Sequence, residues 1–66
     1  YKTGKPDLAI IKLLQAIKLS PQNENARYYI ALIYRDKGDL TTAKKYADEL
    51  RAINQSKGDD LFKLLN

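Results

Sequence analysis

The sequence predicts an all-α chain of about four helices, joined as antiparallel helix–turn–helix units. Three observations carry that expectation. Apolar residues recur at three- and four-residue intervals over four stretches. Gly4, Leu19-Ser20-Pro21-Gln22-Asn23, Gly38-Asp39 and Ser56-Lys57-Gly58 punctuate the pattern. Residues 34 apart also share character: Gly4 and Gly38, Ala9 and Ala43, Leu19 and Ile53, Tyr28 and Phe62, Ile30 and Leu64, Ala31 and Leu65.

The first helix is expected from about Asp7 to Leu19. Pro6 needs no donor at a helix start, and Asp7 complements the dipole there. Its polar stripe is narrow, Lys12, Gln15 and Lys18, so more than one neighbour should cover the rest. The second is expected from Glu24 to Lys37, with Asn23 as its cap. Its centre, Tyr28 to Tyr34, has strand-like propensity, but helix start and stop signals flank it and the segment is too long for a strand. Tyr34 shares a stripe with Arg27, Ile30 and Ala31 and is assigned to the core.

The third helix, from about Leu40 to Asn54, buries Leu40, Ala43, Ala47, Leu50 and Ile53, with Asp39 or Thr41 as cap. The fourth is expected near Asp59-Asp60 and runs to the last residue. Leu61, Leu64 and Leu65 should pack onto the third helix near Ala47 and Leu50. Ala9 and Ala43 each lie one turn into the helix after a Gly, where a small side chain lets antiparallel helices approach closely.

The chain has 66 residues, 44% of them hydrophobic, which excludes wholesale disorder. With no Cys and no His, thiol catalysis, disulfides, zinc fingers and imidazole acid–base chemistry are excluded, and no compartment is indicated. The net charge is +4, from 12 basic and 8 acidic residues spread along the chain. That reads as a solvated surface; a nucleic-acid footprint would cluster its basic residues on one face. No apolar run reaches the roughly 20 residues that span a bilayer. Ser20 and Ser56 have no base, and Asp59-Asp60 reads as dipole pairing in a first turn, so no enzyme and no cofactor or metal is expected. A core this small is marginal alone, so upstream chain or a second copy should supply cover for Ile10, Leu13, Leu14 and Ile17.

The chain resembles the tetratricopeptide repeat (TPR) family, a 34-residue helix–turn–helix unit, through Ile30-Ala31, Tyr34, Gly38-Asp39, Ala43 and Ala47. The Leu19-Ser20-Pro21-Gln22-Asn23 segment is similar to that family's linker and separates it from the pentatricopeptide repeat. Residues 1–23 look like the second half of a repeat, 24–57 like a complete one and 58–66 like the start of a third. Arg27 in place of a large apolar residue, Gln55 in place of the second linker proline and Leu50 in place of a small residue make the repeat a degenerate or terminal one.

The resemblance implies a stacked α-solenoid and a protein–protein interaction module or scaffold. Its partner peptide would lie on a concave face formed by Asn25, Tyr28, Tyr29, Leu32, Arg35 and Asp36, extended by Asp59, Phe62, Lys63 and Asn66, with Tyr1 and Lys2 at one end. Homo-oligomerisation is the second expectation and a basic RNA-binding repeat the third. No small-molecule substrate and no membrane insertion is expected.

Overall fold

Two short polar side chains and one glycine set the middle of the molecule. Asn23 precedes a helix, and its side-chain oxygen accepts from the Ala26 N–H at 3.0 Å. Asp39 does the same for the next helix through the Thr42 N–H, also at 3.0 Å. Both are N-caps that satisfy donors the helix leaves open. Between them, Gly38 takes φ +87°. Its N–H reaches the Arg35 carbonyl, while the Asp39 N–H reaches that of Tyr34. That paired return is the glycine C-cap that ends a helix without a Cβ penalty.

The computed structural model describes residues 6–65, which form four helices and no strand. They are α1 (Pro6–Leu19), α2 (Glu24–Asp36), α3 (Leu40–Ile53) and α4 (Gln55–Leu65). Gly4, Tyr1, Lys2 and Asn66, all named in the sequence reading, lie outside the described residues.

The Thr42 N–H and hydroxyl both donate to the Asp39 carboxylate and hold it below its usual range. A depressed folded pKa means the cap stabilises above the unfolded value of 3.8 and is lost as pH falls through the folded one. Asn caps without titrating. The Asp39→Asn variant should therefore lose helicity less steeply as the pH falls below 3.8 in a circular-dichroism titration. Identical acid profiles would remove Asp39 from the cap.

The fourth helix begins earlier than the sequence suggests. Only Asn54 separates it from α3, in an extended conformation (φ −146°, ψ 96°). Its side chain caps α4 through the Lys57 N–H at 3.2 Å and donates to Glu24 on α2 at 3.1 Å. Ser56-Lys57-Gly58 is thus helix rather than a break. Gly58 is buried because α4 crosses α3 there: a Cβ would stand 2.5 Å from the Arg51 Cα. The glycine serves close approach.

The α2, α3 and α4 helices share one core of Ala31, Ala43, Ala47, Leu50, Leu61 and Leu65, bordered by Tyr28, Leu32, Tyr34, Tyr46 and Phe62. Tyr34 is half-buried at the border, its ring parallel to that of Tyr46 at 6.0 Å. Among the described residues the α1 helix packs on α2 alone, antiparallel, with Asp7 bonded to Lys37. Ile10, Ala26, Ile30 and Ile33 are buried outside the central cluster, on the α1 side. Ile10 is therefore covered, whereas Leu14 is exposed and Leu13 and Ile17 are half-buried. Ala43 is fully buried as expected for a crossing; Ala9 is only half-buried, since one helix covers α1.

A 34-residue shift places α4 on α2, yet the two helices present different faces. In α2, Ala26, Ile30 and Ile33 are buried on the side of the preceding helix. Their counterparts Asp60 and Leu64 are exposed, Leu64 by 49%. Leu61 and Leu65 meet α3 instead, as their counterparts Arg27 and Ala31 do from the other side. Helix α4 is thus turned by about one residue, roughly 100°. The face with Leu61 and Leu65 is the more apolar one, and it takes the contact. Of the three leucines expected on α3, Leu64 is the one the structure leaves out.

Candidate partner-binding surface

Helix α2 has neighbours on three sides. Arg27, Ala31 and Tyr34 face α3, Ile33 and Lys37 reach α1, and Asn25, Tyr28 and Arg35 reach α4. The remaining side holds only part of the surface the sequence assigns to a partner, since Asn25, Tyr28 and Arg35 are turned to α4. Tyr29 is 53% exposed there, with Asp36 exposed and Leu32 half-buried beside it. The i, i+3, i+7 spacing of Tyr29, Leu32 and Asp36 aligns them on one stripe.

The polar members of this surface are bonded among themselves. Lys57 on α4 donates to the Asn25 side chain at 2.8 Å and sits 6.0 Å from the centre of the Tyr28 ring. Arg35 bonds Asp36 at 3.2 Å and reaches the Leu64 carbonyl at 3.5 Å. Tyr28 and Tyr29 meet edge to face at 6.0 Å, the arrangement that ring quadrupoles favour. On the α1 side, Ala9, Lys12, Leu13, Tyr29 and Ile33 line an open cleft of about 290 Å³. Its wall is apolar apart from Lys12.

The structure does not bring every expected residue together. Asp59 bonds Arg51 of α3 at 2.8 Å, and the same guanidinium lies 4.3 Å from the centre of the Phe62 ring. Both are thus engaged along the α3 flank of α4. Lys63 is exposed. The turn of α4 brings Lys57 to α2 instead, and the cleft adds Ala9, Lys12, Leu13 and Ile33; periodicity groups residues of one helix but names no cross-helix neighbour.

Arg27 has a different explanation from the one its position suggests. It is buried, bonds Glu49 at 3.2 Å and donates to the carbonyls of Pro21 and Asn23. One guanidinium thus ties the α1–α2 turn to α3, and its several donors in a planar fork suit that task. Among the described residues no group of acidic side chains is placed to hold a metal, and no helix is long and apolar enough to cross a membrane.

No protein-family model matches the chain, and no similar curated protein or solved structure was found.

Proposed function

We propose that this chain is a helical-repeat module of TPR type that binds a protein segment on the open face of α2. The observation supporting this reading is the half-exposed Tyr29 ring at the lip of the apolar cleft between α1 and α2. A solvent-facing side of a helix gains little by leaving an aromatic ring and an apolar wall open to water. A partner that inserts an apolar side chain there covers both, and tyrosine holds such a contact with few rotors and a polar tip. Lys12 at the cleft favours a segment with a carboxylate near its apolar anchor.

Panning a displayed random-peptide library against the chain tests this. Enriched sequences should carry a bulky apolar residue next to Asp or Glu. Tyr29→Ala and Leu32→Ala should each weaken the selected peptide by about tenfold or more. Tyr29→Phe should retain most affinity, and Tyr29→Ala should keep its helicity because the ring is exposed. Failure to enrich any sequence, or binding indifferent to both alanine variants, would overturn the reading.

A further inference from the structure

Helix α1 presents apolar side chains away from α2 as well as toward it. Leu8 is 48% exposed, Ile11 53% and Leu14 41%. A helix with one neighbour normally keeps such residues on a single stripe. The order of side chains along this second stripe is informative. Asp7, Ile11, Leu14 and Lys18 are separated by four, three and four residues. That spacing keeps them in line on one side of a helix and is the seam along which two helices pack.

The stripe is also its own complement. Pair it antiparallel with a copy of itself about the midpoint between Lys12 and Leu13. Ile11 then lies opposite the partner's Leu14, and Leu14 opposite the partner's Ile11. Asp7 lies opposite the partner's Lys18, and Lys18 opposite the partner's Asp7. Two apolar contacts sit in the middle, and an ion pair of opposite sign closes each end. A parallel pairing would set Asp7 on Asp7 and Lys18 on Lys18. From this self-complementarity we infer that the occupant of the outer α1 face is a second copy of the chain, docked through an antiparallel, two-fold α1–α1 contact centred on Ile11 and Leu14.

A two-fold interface needs one patch that matches itself, and this stripe does so in both shape class and charge order. Asp7 also bonds Lys37 of its own α2, but its side chain is 81% exposed and keeps room for a second cation. Lys18 is exposed near the helix end, where a cation also suits the dipole. One helix per copy is a small interface, so the dimer is weak and concentration-dependent. The surface is separate from the Tyr29 cleft, so the two readings fail independently.

Sedimentation equilibrium on the 66-residue chain over about 10 to 500 µM tests the inference. A monomer–dimer equilibrium is expected. Leu14→Gln should abolish it. Lys18→Asp should weaken it about fivefold or more by facing Asp7 with a like charge at both ends. Asp7→Lys combined with Lys18→Asp should restore it to near the starting affinity, because the pairs are remade with reversed sign. Tyr29→Ala should leave it unchanged. Circular dichroism on each variant checks that the fold is retained, as these side chains are exposed. A monomeric mass throughout would overturn the inference, and so would a double variant no stronger than Lys18→Asp alone. Either result would return the face to a different protein.

Discussion

Leu50→Ala should cost about 2–5 kcal/mol of folding stability. Leu50 is fully buried and belongs to the cluster that α2, α3 and α4 share. Truncation removes its transfer energy and leaves a cavity between three helices. The neighbours Ala43 and Ala47 are too short to fill it. Ordinary domains carry about 0.05–0.15 kcal/mol per residue, so this one substitution consumes much of the margin of a short chain. Urea melts should show a midpoint displaced to low denaturant with the slope retained. A loss below about 1 kcal/mol would mean that this cluster does not organise the fold.

Gly58→Ala should also destabilise, against the usual trend for a glycine inside a helix. In an open helix position the change gains roughly 1 kcal/mol. Here the added Cβ would meet the Arg51 Cα at 2.5 Å and the Arg51 nitrogen at 2.6 Å. Both are backbone atoms of α3 and cannot rotate aside. Helix α4 would have to withdraw, loosening Leu61 and Leu65 from the core. Overpacking of this kind typically costs about 1–3 kcal/mol. Gly58→Val should cost more, since it adds branching to the same contact. A more stable Gly58→Ala variant would show that the α3–α4 crossing is looser than described. Hydrogen exchange along α4 gives the local readout, because helix withdrawal exposes its amides first.

The four helices and most of their ends were legible in the residues. Pro21 closes the way out of α1, Asn23 and Asp39 cap α2 and α3, and Gly38 ends α2 through its positive φ. These signals are local: each depends on a side chain and a backbone group within a few residues. Ala43, Ala47 and Leu50 were legible as one buried stripe for the same reason, since helical periodicity decides which residues share a face. Leu40, expected with them, is 43% exposed, and Ile53 is only half-buried. Of the six α2 residues expected on one surface, Tyr29, Leu32 and Asp36 line the open side, while Asn25, Tyr28 and Arg35 reach α4. Their neighbours across the interface were not legible, and Lys57, Lys12, Ala9, Leu13 and Ile33 join them only in three dimensions.

Gly58 marks the limit. By composition it reads as a breaker, and α4 is expected to start after it. In the structure it is an interior helical residue pressed against Arg51, and Asn54 makes the break. Whether a glycine interrupts a helix or admits a neighbour depends on what stands over it. Arg27 teaches the same through charge: its position reads as a misplaced polar residue until Glu49 and two turn carbonyls are brought beside it. The sequence by itself therefore determined where α1, α2 and α3 begin and which side chains each helix aligns. Only the tertiary structure decided how far each helix is turned about its own axis. That rotation separates Leu61 and Leu65, buried on α3, from Leu64, left exposed one step away. The free energy that sets it comes from side chains of other helices, and no periodicity within α4 contains it.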